Sequence, residues 1–420
     1  MRISDLEAFS VGIPFRAPIF SAYGVSYPAR LRTFIRLHTD EGVTGVGEAG
    51  VAATHHVAYG EQLRLFQEVV KPLILGQDPC DYLALMQRLR YIPEAIAVEL
   101  ACWDIIGKVA GLPLYRLLGG RGPCERVPVA GYFFFRAAGQ GGEPAVNLDN
   151  CVEHARRLVE TYGFGTLKMK IGVFEPELEA EAIAQVRAAL GPRLKLRVDP
   201  NGCWSLPTAK RMLQRLAPLD LEYVEEPIKF VPARVPYTTQ TGVPSLDTLG
   251  LAHLRQTAQT PIAADGCYRI DLLWQIARDQ AADIVLGDIQ GSMGVRGLHD
   301  FFTVAEALGL AAGLHSGTEL GVQQAAKLHI AAARPELAVA GDAIYHEYVD
   351  DVLRGGKFVY EQGTMRVPQG PGLGVELDEE KLAAYELTEE RHRAFDCYWQ
   401  ELRRGYGIPP AGHDLLVRHL

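Results

Sequence analysis

The feature that most constrains the fold is a repeated alternation of short apolar segments and amphipathic helical stretches through the middle of the chain. Strand-length apolar runs occur at Val127–Phe135, Thr166–Ile171, Leu194–Val198, Leu221–Val224, Pro261–Ala264, Asp283–Leu286, Leu310–Leu314 and Leu337–Val339. Between most of them apolar residues recur at helical spacing, as in Pro176–Leu190, Leu206–Leu216, Ile270–Ala277, Val295–Leu308 and Leu320–Ala332. Strands that read as continuous apolar runs are covered on both faces, as in a parallel sheet clothed by helices. About eight βα units argue for closure into a barrel.

The flanks have a different rhythm. Two β-rich segments lie within Ile3–Gly47, separated by the Gly/Pro/aromatic stretch Pro14–Pro28, and the second turns at Asp40-Glu41-Gly42. That stretch and the small-residue loop Ala49–Thr54 have the composition of mobile covers. A helix opens at Pro93, runs through Gly107 and stops at Gly111-Leu112-Pro113; its apolar residues surround it, so deep packing is expected. A polar linker ending near Glu125 marks a boundary, giving an α+β domain over 1–125 and the barrel over 126–355. The segment 356–420, with strand and turn signals and then a polar helix from Glu379, is expected to pack back on the first domain. Lys229–Leu249 breaks the barrel rhythm with three prolines and is expected to be an insertion at the barrel mouth.

Composition excludes several roles. The formal charge is 42 − 51 = −9 and no basic block occurs, which argues against nucleic acid and anionic membranes as partners. No apolar run reaches membrane-spanning length and no h-region follows Met1, so a cytoplasmic protein is expected. Seven scattered cysteines without a C-x-x-C pair are expected to be reduced thiols, most of them in the core.

Active sites of such barrels lie at the C-terminal ends of the strands, and here those ends are ionisable. The second strand carries Lys168 and Lys170 on one face, since alternate residues of a strand point the same way. A crowded, partly desolvated lysine is a candidate base. The next strands end in Asp199, Glu225, Asp265, Asp288 and His315. Any one acid alone would more often be a helix cap or a solvated loop residue. Three consecutive carboxylates on one rim, Asp199, Glu225 and Asp265, suit a hard divalent cation, Mg²⁺ above all, whereas zinc would call for adjacent Cys or His. His315, with Asp288 one strand away to hold its tautomer, is a candidate acid/base facing the lysines across the metal. This arrangement suits removal of a proton beside a carboxylate.

These residues resemble the enolase superfamily, in its mandelate racemase-like subgroup with Lys-x-Lys and a His/Asp dyad. The likeness is nearest to glucarate dehydratases, through Val198-Asp199-Pro200-Asn201-Gly202-Cys203-Trp204-Ser205-Leu206, Gly131-Tyr132-Phe133-Phe134 and Pro371-Gly372-Leu373-Gly374-Val375-Glu376-Leu377-Asp378. It implies an α/β fold: a modified (β/α)7β TIM-type barrel under an α+β capping domain completed by the C-terminal segment. It also implies one Mg²⁺ on Asp199, Glu225 and Asp265, with Lys170 as base on one face and Lys168 assisting the carboxylate. His315 and Asp288 would serve the other face, and Asn201, Tyr132 and Ser26 would be at substrate. Asp342 falls where the family places an acid near the enolate, a turn aspartate being the alternative. The pattern departs from the family's at Ser316-Gly317-Thr318-Glu319 after His315, at Ser26 in place of a histidine, at Asp265 in place of an asparagine, and in the length of the Lys229–Leu249 insertion. The expected activity is dehydration of an acid sugar by a homo-oligomer acting on a small carboxylate. Racemisation or epimerisation of a 2-hydroxy or amino acid derivative, and a non-catalytic ligand-binding barrel, are the alternatives.

Overall fold

A computed structural model describes residues 1–50, 59–90, 92–139, 141–228 and 246–406. The N-terminal unit begins with an antiparallel sheet of β1 (Ile3–Pro14), β2 (Ala29–Thr39) and β3 (Thr44–Gly50) in the order 1-2-3. On it lies α1 (Ile96–Ala110), which is buried over most of its surface because apolar residues surround it, and which ends at Gly111 in the left-handed region (φ 65°). The approach of α1 to β3 requires glycine: a Cβ on Gly47 would sit 1.9 Å from the Ala97 carbonyl oxygen.

The barrel follows in unbroken alternation: β4 (Arg126–Phe133), α2 (Cys151–Tyr162), β5 (Thr166–Lys170), α3 (Pro176–Leu190), β6 (Lys195–Asp199), α4 (Leu206–Leu216) and β7 (Tyr223–Glu225). It continues through α5 (Thr248–Arg255), β8 (Ile262–Ala264), α6 (Ile270–Asp279), β9 (Ile284–Gly287), α7 (Val295–Ala307), β10 (Ala311–Leu314), α8 (Gly321–Ala333) and β11 (Gly341–Ala343). Neighbouring strands pair in parallel from β4 to β10, and β11 pairs in parallel with β4, which gives eight strands and seven helices, a (β/α)7β barrel. Local signals set several helix starts: Pro176 occupies the first turn of α3, and the Ser205 hydroxyl accepts the Thr208 amide at the start of α4.

The last strand differs from the expectation. Leu337–Val339 is not a strand; Val339 instead packs with Tyr223, Ala263, Ile284 and Leu286 inside the barrel. The strand is Gly341-Asp342-Ala343, so Asp342 stands within it rather than after it. The apolar triplet advertised a core plug, whereas the strand beside it carries a buried charge. The insertion is outside the described residues over 229–245, and Thr248 and Leu249 already belong to α5. The Ala49–Thr54 loop is likewise outside from 51 onward.

After the barrel, β12 (Tyr360–Glu361) and β13 (Thr364–Arg366) form a hairpin whose second strand pairs antiparallel with β4. Helices α9 (Glu379–Ala384) and α10 (Glu389–Gly405) then reach the N-terminal unit. The Leu387 amide donates to Ser10 O at 2.8 Å, and the Trp399 indole donates to Val25 O at 3.2 Å. No helix of the described residues is long and apolar enough to cross a membrane.

Candidate active site

Strand β5 is buried at every position, and its alternation turns Leu167 and Met169 to the helices while Lys168 and Lys170 enter the barrel. Lys168 has no exposure at all. Its ammonium lies 2.7 Å from Asp342 Oδ2, 2.5 Å from Glu225 Oε2 and 3.6 Å from Asp199 Oδ2. Burial works against that charge, but Asp342 and Glu225 outweigh it and push Lys168 well above the ordinary lysine range. It is a fixed cation, whereas Lys170, on the barrel's open side, pairs with Asp199. The Tyr132 ring lies under both, with its centroid 5.0 Å from the Lys168 Nζ and 5.4 Å from that of Lys170.

The acids stand in strand order. Burial would lift Asp199, but Lys170 and Lys168 outweigh it and hold its carboxyl well below the usual range. Asn201, held at φ 48°, donates its amide to Asp199 Oδ1 at 2.7 Å and its side-chain amide to Oδ2 at 3.3 Å. Such a conformation costs a non-glycine residue and concentrates at functional sites. Glu226, next to Glu225, shares it (φ 35°). Asp265 accepts the Tyr268 hydroxyl at 2.6 Å. Burial, with the charge of Asp199, pushes Glu225 well above the carboxylate range, against the pull of the lysines. Its contact with Lys168 is close but outside hydrogen-bonding geometry, so both Glu225 oxygens are buried without a hydrogen-bond partner.

Orphaned buried oxygens of this kind need a cation. One ligand atom each from Glu225, Asp265 and His315 lies within 4.8 Å of the others, so this donor set fits a divalent ion. Asp199, also expected as a ligand, is drawn to Lys170, and His315 completes the tight group.

His315 stands at the other end of the row. Its Nδ1 faces Asp288 Oδ2 at 3.3 Å; a carboxylate can only accept there, so Nδ1 carries the proton, and Nε2 points to Asp265 Oδ2 at 3.6 Å. Asp288 is fixed in turn by the Gly291 amide at 2.6 Å. Burial lowers His315, but the Asp265 charge and the Asp288 bond prevail and raise it.

The structure thus brings together Lys168, Lys170, Asp199, Glu225, Asp265, Asp288, His315, Asn201, Tyr132 and Asp342. Ser26 makes none of these contacts: its hydroxyl accepts the Ile19 amide at 3.2 Å. Sequence reasoning missed Arg197, fully buried, which reaches Asp342 Oδ1 at 2.8 Å, and Lys327, which pairs with Glu319 and donates to Asp342 O at 3.1 Å. Arg197 lies two residues before Asp199 on the same strand, and that spacing alone put it on the inner face.

Comparison with known proteins shows the family of the chain. Residues 4–119 match the family described as "Mandelate racemase / muconate lactonizing enzyme, N-terminal domain", and residues 150–381 match "Enolase C-terminal domain-like". A probable glucarate dehydratase of Streptomyces coelicolor is 32% identical, over 87% of this chain and 87% of its own. An N-succinyl-L-Arg/Lys racemase of Bacillus cereus is 26% identical over 92% of this chain and 98% of its own. A solved enolase from Thermobispora bispora, complexed with magnesium and formate, superimposes with a TM-score of 0.80 at 29% identity, covering 99% of this chain and 100% of that one.

Proposed function

Because the chain belongs to the mandelate racemase / muconate lactonizing enzyme family of the enolase superfamily, we propose that it is a Mg²⁺-dependent acid-sugar dehydratase. The observation that supports this reading is the placement of Lys170 and His315 at opposite ends of one row of carboxylates, where each can serve as a proton-transfer group. Glu225 and Asp265 would hold the cation together with Asp199, which would have to leave its pair with Lys170, and His315 beside them would then keep its Nε2 for the proton. When bound, Mg²⁺ supplies positive charge that makes the proton beside a substrate carboxylate more acidic.

The chain's own residues do the rest. Lys170 takes the α-proton, leaving the electron pair to form the Cα–Cβ double bond as the β-hydroxyl departs. His315 gives its Nε2 proton to that hydroxyl, which leaves as water, and the enol product becomes a 2-keto acid. Asp288 keeps the His315 proton on Nδ1 and supports the imidazolium. Lys168, held as an ammonium by Asp342 and Glu225, supplies fixed positive charge where negative charge develops.

Incubation of the protein and Mg²⁺ with a panel of acid sugars tests this reading: a 2-keto product from one or more members is expected, and its absence throughout would sink it. The two-base layout equally accommodates racemisation or epimerisation, favoured by the likeness to the succinylamino acid racemase. That reaction would give α-exchange without a keto product.

A further inference from the structure

We infer that Arg32, on the N-terminal sheet, is a positioning residue for the His315–Asp288 pair. The inference rests on the reading of His315 as a proton-transfer group. Arg32 belongs to β2 and is fully buried, yet its guanidinium leaves its own sheet and grips both barrel loops that carry the pair. Nη1 donates to the Gln290 side chain at 2.9 Å, two residues beyond Asp288. Nη2 donates to Thr318 O at 2.7 Å and to Gly317 O at 3.2 Å, just beyond His315. Arg30, two residues away on the same strand face, doubles the second grip with bonds to Thr318 O at 3.0 Å and Gly317 O at 3.2 Å.

The surroundings are built for this bridge. Gly50 on the neighbouring strand leaves the room: a Cβ there would lie 2.1 Å from Arg32 Nη1 and 2.2 Å from Gln290 Oε1. Thr318 holds the left-handed conformation (φ 65°). The loop it belongs to presses on the acid itself, since a Cβ on Gly317 would sit 2.6 Å from Asp288 Oδ2. Pulling the 317–318 carbonyls toward the N-terminal sheet therefore sets how closely His315 meets Asp288.

The far ends of both loops are fixed from the same side. The His315 loop runs into α8, where the amides of Leu320, just before the helix, and of Gln323 donate to Glu48 at 2.8 and 2.9 Å; Glu48 is also the ion-pair partner of Arg32 at 3.2 Å. The Asp288 loop runs into α7, whose Val295 and Arg296 amides donate to Glu99 of α1 at 3.0 and 2.9 Å. Each loop is thus held in the middle by Arg32 and at its helix by a carboxylate of the N-terminal unit. A planar fork that bonds two loops at once is a property of arginine; a lysine at 32 could serve one of them.

The test reads His315 directly, without substrate. In ¹⁵N-histidine-labelled protein, the resonances that vanish in His315→Asn are His315's, and its Nδ1 proton is followed by exchange with water. Arg32→Lys and Gln290→Ala are expected to speed that exchange roughly tenfold, the change in an opening equilibrium that one net hydrogen bond is worth. The His329 signals, from a ring on α8 locked between the Tyr115 amide and Leu373 O and bonded to neither loop, should not move. Gln290→Ala leaves the buried Arg32–Glu48 pair intact, so it reports even where an Arg32 variant fails to fold. Unchanged His315 exchange in a folded Gln290→Ala or Arg32→Lys protein overturns the inference. Faster exchange in a protein that dehydrates no acid sugar would support it while the dehydratase reading fell.

Discussion

Lys168→Met probes the charge balance on which the candidate site depends. The lysine faces three carboxylates, all without exposure. On its removal Asp342 keeps Arg197 at 2.8 Å, and Asp199 keeps Lys170 and the Asn201 amide at 2.7 Å. Glu225 keeps only the weaker pull of Lys170, since neither oxygen has a hydrogen-bond partner even with the lysine present. Glu225 thus loses its ion-pair partner while buried, and methionine fills the volume of the lysine stem, so the expected loss without metal is about 3–5 kcal/mol. Mg²⁺ narrows the difference. At a hundredfold excess over its Kd it stabilises any form that binds it by about 2.7 kcal/mol. A unit charge about 4 Å away is worth roughly 4 kcal/mol at an effective dielectric near 20. Removing the resident ammonium should therefore strengthen Mg²⁺ binding by at least ~10-fold, an extra ~1.4 kcal/mol of stabilisation at fixed Mg²⁺. Urea unfolding in EDTA and in excess Mg²⁺, with slopes compared, measures both effects. A loss below ~1 kcal/mol in EDTA, or equal stabilisation of variant and parent by Mg²⁺, would refute the reasoning.

Other consequences are local. Gly47→Ala drives a Cβ into the backbone of α1, 1.9 Å from Ala97 O, and should cost about 3 kcal/mol or more, the upper end of overpacking. Gly165→Ala opens onto free space at an ordinary φ and should gain about 0.5 kcal/mol through the unfolded chain; equal urea midpoints for the two would contradict the packing. His329 is neutral in the fold: burial brings it down to about 4, against the pull of the Leu373 carbonyl. Its contribution is complete above the unfolded value near 6.5 and is lost as pH falls through 4, roughly 3 kcal/mol in all. His329→Gln, which can still accept from Tyr115 and donate to Leu373, should flatten that acid limb in a pH series of unfolding free energies.

What the sequence made legible follows from the physics of parallel strands. Strand positions that face the helices must be apolar, so Leu167 and Met169 of β5, Leu196 and Val198 of β6 and the run of β10 stood out, and an ionisable residue ending such a strand, as Asp199 does, or just after it, as His315 does, is conspicuous. The same rule missed β11, because Gly341-Asp342-Ala343 holds its charge inside the barrel while the apolar Leu337–Val339 beside it is no strand. It also could not separate the two lysines. Lys168 is a fixed cation because Asp342 comes from the far end of the barrel to meet it, a partnership across 174 residues that no local pattern encodes. The bonds to the barrel were hidden for the same reason: Arg32, Glu48 and Glu99 read as ordinary charges on two strands and a helix, yet their barrel partners lie between 196 and 286 residues away.

The most direct test of the central claim, two bases facing one α-carbon across a metal-held carboxylate, is proton exchange in D₂O. With Mg²⁺ and a panel of acid sugars and N-acyl amino acids, deuterium should enter the α-position of at least one compound. His315→Asn should then abolish exchange from one configuration while Lys170 still exchanges the other, and Lys170→Ala should do the reverse. Absence of α-exchange from every compound, in protein that demonstrably binds Mg²⁺, would contradict the account.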